Sequence, residues 1–434
     1  MKMIRNFVKV EKQQSTATRA FLPSSVLIPC NSAKEKKFSV VVKKNEMVEE
    51  GQVIASSLDK NSQAVCIHAS VPGRIEDSQA CFLPDGRVGT AIKIKTCGKF
   101  SYLGKKREKI LWQQFSPDSL IEIIASKGVI NTFSQKDTFA LQLESCKKRK
   151  TRLLIVRMFD EDPSRATDTF IAKQFTNEVL EGALISARAM NAQGIVFALP
   201  KKASFTLNEE LLKGIPTVFA EADTKMYPSG FSQNLIQLTK KTVRGSSLEQ
   251  FKNVNRNCVF VDPETLYSVY EAVVFAQPVL DTFVHVMGSC LKTSALLRIR
   301  IGASLESIAE QCGGFKTKPA KIIINGKICG SAVSSLKTAI TRQVKSVSFI
   351  PAAELEDQTL SRCIRCGKCR AICPEGIFPD LLFRHRIGGK PVGNDLMQTS
   401  LLCSGCALCN SVCPARLPLC QIIELVRNSN NEIK

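Results

Sequence analysis

The sequence predicts a multidomain α/β protein made of four consecutive units. Three observations carry that prediction. Short alternating apolar runs broken by turn residues fill residues 21 to 97, strands and helix-period segments interleave from about 110 to 352, and one cysteine motif occurs twice between Cys363 and Pro414. A chain of 434 residues is too long for a single hydrophobic core. Boundaries are expected at 1–105, 106–248, 249–352 and 353–434.

The front unit reads as all-β. Phe38–Val42, Gln52–Ala55, Ala64–Ile67 and Ala91–Ile94 are strand-like runs, with turn signals at Asn45, Gly51, Pro72-Gly73 and Asp85-Gly86. Within it, Val42–Ala55 followed by His68–Ile75 resembles the half-motifs of biotinyl and lipoyl domains, which implies a barrel-sandwich hybrid fold. Asp59-Lys60 is similar to the Asp-Lys of a lipoylated turn, but the distances to Gly51 and Pro72 do not suit a tight turn there. Lys60 is therefore expected to be structural rather than an attachment site.

The second unit alternates helix and strand. Ser116-Pro117 caps a helix with Leu120, Ile121 and Ile124 on one face, and Gly128 stops it. Arg152–Val156 reads as a buried strand, Asp168–Met190 as one long amphipathic helix, and Ile195–Leu199 and Thr217–Ala220 as further strands. Strand, helix, strand at this length implies a right-handed crossover and a parallel, Rossmann-like sheet, at whose turns a nucleotide would bind. Such a site needs glycines so that backbone amides can approach phosphate. The chain contains no G-x-G-x-x-G and no G-x-x-x-x-G-K-[ST].

The third unit reads Val259–Val261, a helix from Pro263 to Ala276, strands Phe283–Met287 and Leu296–Ile301, a helix from Ser304 to Gln311 ended by Gly313-Gly314, and a strand Lys321–Asn325. Strands around one short helix suggest a β-grasp. His285 alternates within a strand and has no metal-pattern companion, so it is expected to pack rather than ligate.

The fourth unit carries the chemistry. Cys363-x2-Cys366-x2-Cys369-x3-Cys373-Pro374 recurs as Cys403-x2-Cys406-x2-Cys409-x3-Cys413-Pro414. This is the ligand pattern of a two-cluster ferredoxin, in which the fourth cysteine of each copy serves the other copy's cluster. One [4Fe–4S] cluster is thus expected on Cys363, Cys366, Cys369 and Cys413, and a second on Cys403, Cys406, Cys409 and Cys373. Structural zinc also uses C-x2-C pairs, but a repeated triplet-plus-one with a terminal proline exceeds what zinc requires. Helical turns are expected at Phe378–Phe383 and Leu396–Leu402, then a helix Leu419–Val426 and a frayed tail from Arg427.

Composition sets the context. The chain has 18 cysteines, eight of them in the motifs, and the rest share no spacing, which suits a reducing compartment. No secretory signal is expected, because charges are scattered through Met1–Glu11, and no apolar run is long enough to span a bilayer as a helix. The net charge is +21, and residues 1–150 alone hold 26 Lys and Arg against 14 Asp and Glu. Such a surface attracts anionic partners. A nucleic acid is not expected, because no helix-turn-helix or aromatic RNA-binding motif accompanies the charge.

Taken in order, the units resemble the RnfC family of Rnf electron-transport complexes. The resemblance rests on the cysteines, on His68–Gly73, Tyr227-Pro-Ser-Gly230, Arg298–Gly302, Cys312-Gly-Gly314 and Asn325–Gly330. It implies a barrel-sandwich hybrid, a Rossmann-like domain, an SLBB β-grasp and a helical two-cluster ferredoxin module. It also implies an electron-transfer role in an ion-translocating oxidoreductase, peripheral on the cytoplasmic face of the inner membrane and working with membrane partner subunits. Family members bind FMN and NADH through a G-x-G-G-A-x-F-P-T turn and a Glu-Pro-Tyr segment. Here those stretches read Gly128–Phe133 and Asp160–Ser164, so FMN and NADH are doubtful and the donor is expected to be an acidic flavodoxin or ferredoxin. A soluble reductase resembling the cobalamin reductase of microcompartments is the alternative.

Overall fold

In a computed structural model the described residues are 4–5, 16–30, 38–57, 65–105, 107–133, 138–355, 361–388 and 393–431. Lys60 and its turn lie outside them.

The front unit folds as two small antiparallel sheets. One orders Ser25–Pro29, Val88–Thr96, Gly73–Phe82 and Met47–Val48, and the other orders Phe38–Val40, Val53–Ser57 and Cys66–His68. Val26, Ile28, Ile54, Ile67, Val71, Ile75, Ile92 and Ile94 fill the space between them. The long pair Gly73–Phe82 and Val88–Thr96 was underestimated from sequence, because charged and polar residues interrupt its outward face. Gly73 is required where it stands, since a Cβ there would come 2.1 Å from the Lys95 carbonyl oxygen.

The middle of the chain forms a four-stranded parallel sheet in the order Thr217–Ala222, Gly194–Pro200, Leu153–Arg157, Val259–Val261. Alternate residues serve two cores. Leu154, Val156, Ile195 and Phe197 face the helices Pro117–Ser126, Thr176–Ala189 and Pro263–Val274, while Leu153, Ile155, Val196 and Ala198 face Ser232–Thr242. Two expectations are corrected here. Val259–Val261, assigned by sequence to the third unit, pairs with Leu153–Arg157, and its following helix packs against Thr176–Ala189. The single helix expected over Asp168–Met190 is two, Thr167–Gln174 and Thr176–Ala189, broken at Phe175 with φ −124° and ψ 41°. The Phe175 ring packs at 4.7 Å from Tyr267 and 5.7 Å from Phe283, and this tertiary aromatic contact outweighs continued helical periodicity.

The third unit is a six-stranded mixed sheet ordered Ser331–Val333, Lys321–Ile324, Ser346–Ile350, Asp281–Met287, Ala295–Arg300, Thr18–Arg19, with the helix Leu305–Gln311 over it. His285 is buried within its strand. The C-terminal unit is helical, and its last helix continues to Asn431, past the point where a frayed tail was expected.

Buried charge joins the second and third units. Lys345 directly precedes Ser346–Ile350, an interior strand of the third sheet, and its Nζ donates to Asp168 Oδ1 and Asp262 Oδ2, both at 2.6 Å. All three side chains are essentially inaccessible. Burial alone would lower the Lys345 pKa, but the two carboxylates outweigh it and hold the ammonium charged. Removing one member of such a group leaves an uncompensated charge, so Lys345→Met should cost about 3–5 kcal/mol in urea denaturation. Glu264 behaves differently: burial pushes its carboxyl up to about 8, and its Oε2 has no hydrogen-bond partner. Its folded pKa lies above the unfolded value of about 4.3. Its contribution to stability is therefore full below that value and is lost as pH rises through about 8. Glu264→Gln should flatten this dependence, with a Tm that gains on the parent protein between pH 5 and pH 9.

Candidate metal centre

Both cysteine motifs adopt the same backbone. Arg365 (φ 58°) and Gly367 (φ 73°) are left-handed in the first copy, and the corresponding Gly405 (φ 76°) and Ala407 (φ 54°) are left-handed in the second. Each pair bends the chain back before a short helix, Lys368–Ile372 or Leu408–Ser411. The bends turn the spaced thiols inward instead of letting them alternate as on a strand.

Cys363, Cys366, Cys369 and Cys413 line one cavity, together with Ile364, Asp380, Leu417 and Leu419. The set takes three thiols from the first copy and the last from the second. Cys373 crosses the other way: it packs with Cys403 against Ile377, Leu382, Ile423 and Val426, and Cys406 lies close enough to feel both. Cys409 is buried beside Cys369 and next to Cys420. Among the described residues no three of these side chains close around a point as a single ion would require. Burial pushes the Cys406 thiol up to about 12 and raises Cys373 as well. Ligation as thiolates therefore needs the charge of a bound metal.

The two ends of this unit differ. The Cys363–Cys369 end faces solvent, with Arg362, Arg365, Cys366 and Lys368 exposed and Ile364 65 % accessible. Arg370 is drawn instead to Asp380, with both bonds at 2.6 Å. The Cys406 end faces the body of the protein. Tyr227 donates its hydroxyl to the Cys406 carbonyl at 2.7 Å, and Tyr227, Phe231, Cys406 and Leu408 form a small core with Ile328, Cys329 and Ile372.

A second candidate lies at the C-terminal ends of the parallel strands. The strand order reverses between Leu153–Arg157 and Val259–Val261, and that switch point is where α/β sheets bind nucleotides. Protein fills it here. The buried Arg157 guanidinium lies 4.5 Å from the Phe133 ring centre, with Nη2 donating to Asp168 at 3.1 Å and Nη1 to the Gly230 carbonyl at 3.2 Å. The stretch Gly128–Phe133 packs inward: Asn131 Nδ2 donates to the Phe260 carbonyl at 2.8 Å, Thr132 Oγ1 donates to Asp262 at 2.7 Å, and Phe133 stacks on Phe260. In Asp160–Ser164, Asp160 accepts from the first amides of the Thr167–Gln174 helix, while Asp162 Oδ2 accepts from the amides of Ile328 and Cys329 at 2.8 and 3.0 Å. Arg157, Asp162, Tyr227 and Lys345 escaped sequence reasoning as a group. Tyr227 and Asp162 lay in the stretches Tyr227–Gly230 and Asp160–Ser164 already noted, the signal for Arg157 was an arginine closing the otherwise apolar run Leu153–Val156, and nothing marked Lys345.

Comparison with known proteins places these features. Residues 6–99 match the RnfC barrel sandwich hybrid domain, and residues 358–417 match the 4Fe-4S dicluster domain. The C subunit of the proton-translocating ferredoxin:NAD(+) oxidoreductase complex of Clostridium ljungdahlii is 25% identical over 371 residues, covering 83% of this chain and 78% of that protein. Its counterpart in the ion-translocating oxidoreductase complex of Buchnera aphidicola subsp. Acyrthosiphon pisum is 25% identical over 390 residues, 87% of this chain and 78% of that one. The counterpart in the Na(+)-translocating ferredoxin:NAD(+) oxidoreductase complex of Acetobacterium woodii is 21% identical over 363 residues, 82% and 80% of the two chains.

Tyr227 is a buried polar tie between the cysteine unit and the parallel-sheet unit, alongside the Arg256–Glu375 ion pair, and burial pushes its phenol far above the usual range, so it remains a donor at every accessible pH. Tyr227→Phe leaves the Cys406 carbonyl without that donor. It should cost about 1–3 kcal/mol and increase amide hydrogen exchange in residues 403–413 more than in the parallel sheet.

Proposed function

The chain belongs to the RnfC family, and from that premise we propose that it is the electron-relay subunit of a membrane-associated, ion-translocating Rnf-type oxidoreductase complex. Two [4Fe–4S] clusters would be held by Cys363, Cys366, Cys369 and Cys413 and by Cys403, Cys406, Cys409 and Cys373. The observation that carries this reading is the cavity lined by three thiols of one motif copy and the last thiol of the other. The remaining wall of that cavity is largely apolar, which suits a group of low net charge carried on four thiolates. When bound, such clusters supply one-electron transfer, and the protein's part is to hold them dry and a fixed distance apart.

The domain reading follows. Residues 1–105 are the barrel-sandwich hybrid, the parallel sheet is Rossmann-like, the mixed sheet is an SLBB β-grasp, and 353–434 is the ferredoxin module. The second boundary, expected at 248, moves past Val274 because Val259–Val261 completes the parallel sheet. FMN and NADH do not fit this chain. Arg157, Phe133 and the Lys345 ammonium occupy the switch-point crevice where an isoalloxazine or a phosphate would lie. Electrons enter instead at the solvent-facing cluster from an acidic flavodoxin or ferredoxin, guided by Arg362, Arg365 and Lys368 around the exposed Ile364. They leave on the side of Tyr227 toward partner subunits of the complex. No helix among the described residues is long and apolar enough to cross a membrane, so attachment to the cytoplasmic face would come through those partners.

Anaerobically purified protein should contain about eight iron and eight sulfide atoms per chain and no stoichiometric flavin. Reduced flavodoxin should reduce the clusters. Charge reversal at Arg362, Arg365 and Lys368 together should slow that reduction about tenfold or more at low ionic strength, with the difference shrinking as salt is added. Rapid reduction by NADH alone would overturn the closed-crevice reading.

A further inference from the structure

The two motif copies share ligand spacing but not the charge beside it. Laying Cys363–Asp380 on Cys403–Cys420 by sequence aligns every motif cysteine, with Cys369 falling on Cys409, Arg370 on Asn410 and Asp380 on Cys420. In the first copy Asp380 lines the cavity of Cys363, Cys366, Cys369 and Cys413, and its Oδ1 is 3.9 Å from the Cys369 sulfur. Cations hold it there: Arg370 donates to both carboxylate oxygens at 2.6 Å, and Arg384 Nη2 to Oδ2 at 3.4 Å. In the second copy the matching sulfur, Cys409 Sγ, lies 3.8 Å from Asn410 Oδ1, an uncharged amide oxygen. A cation stands on that side, since Arg427 Nη1 donates to the Cys403 carbonyl at 3.4 Å, while Glu375, two residues past Cys373, turns its carboxylate to Arg256. Accessibility decides which charge dominates the first cavity. The Asp380 side chain is 7 % accessible, against 38 % for Arg370 and 34 % for Arg384, and Arg365, which also lines the cavity, is exposed. Water screens the guanidinium charges, and the buried carboxylate, nearest the sulfur, is screened least. An added electron is therefore opposed more strongly in the first copy than in the second.

We propose that Asp380 orders the two centres: its carboxylate beside the Cys369 sulfur holds the first cluster at the lower potential, so that an electron entering at the solvent-facing end runs inward to the second. The inference rests on the two-cluster reading above. In this step the first centre is oxidised and the second reduced by the one electron that the soluble donor has supplied. No bond breaks and no proton moves. Arg370 fixes the carboxylate in place, and Asp380 acts on the centre through charge rather than by ligation.

The test is an EPR-monitored redox titration of anaerobically purified full-length protein, with iron analysis of every sample. The signal that Cys366→Ser alters or abolishes belongs to the first cluster. The unaltered protein should show two one-electron steps, the first cluster's being the lower. Asp380→Asn should raise that step by about tenfold or more in its equilibrium constant, a tenfold change being 59 mV for one electron, and leave the other step in place. Asp380→Glu should restore it. Arg370→Gln breaks the same ion pair but keeps the carboxylate, so it should lower the step or leave it unmoved, whereas a merely structural role would make the Arg370 and Asp380 variants behave alike. If Asp380→Asn proves insoluble, Arg370→Asn with Asp380→Cys, which writes the second copy's pair into the first, gives the same comparison. Equal potentials in the unaltered protein would overturn the proposal, as would an Asp380→Asn protein whose lower step stays put or falls, or an Arg370→Gln protein whose lower step rises. Fewer than about eight iron atoms per chain in the unaltered protein would instead sink the two-cluster reading beneath it.

Discussion

A single ammonium group governs how this molecule is put together. Lys345 reaches from the mixed sheet into the parallel-sheet unit and ends between Asp168 and Asp262, with no access to water. Taking three charges out of water costs several kcal/mol for each, and only close, hydrogen-bonded partners offset that cost. Thr167 strengthens the joint by donating its hydroxyl to the Lys345 carbonyl at 2.6 Å. The arrangement penalises any other docking of the two units, because a shifted interface would strand at least one buried charge.

That joint occupies the crest of the parallel sheet, and its consequences spread outward. Arg157 shares Asp168 with Lys345 and covers Phe133, which closes the crevice at the switch point. On the other side, Asp162 holds the amides of Ile328 and Cys329, and this loop meets Tyr227 at the carbonyl of Cys406. A place that in a nucleotide-binding sheet would be open has become a splint under the cysteine unit. The same network thus holds the Cys406 end of the cysteine unit against the body of the protein, while the Cys363 end faces solvent.

The helical cysteine unit shows how near-repeats come to differ in their surroundings. Left-handed residues at matched places give both copies one backbone bend, so the local placement of the motif cysteines is repeated. Side chains one turn away are not repeated. Arg370 and Asp380 in one copy, and Asn410 and Cys420 in the other, give two sites of one shape different electrostatic neighbours. Hydrogen bonding and charge around sulfur ligands are levers on the potential of any cluster they hold, so the two copies offer different surroundings to a bound cluster.

Much of this protein is legible in its sequence because the signals are local. Spacing alone identifies the eight motif cysteines, the Ser116-capped helix, and the apolar strands Leu153–Arg157 and Gly194–Pro200. The absence of a glycine-rich turn is also plain from the sequence. Three-dimensional packing decided the rest. It broke the helix at Phe175 through aromatic contacts with residues about a hundred positions away, and it recruited Val259–Val261 into the parallel sheet through hydrogen bonds to a strand just as distant. It also made a lysine just ahead of a strand into a buried cation joining two units. Periodicity and motif spacing report what a residue does with its neighbours in the chain. Partners that meet only after folding leave no pattern along it.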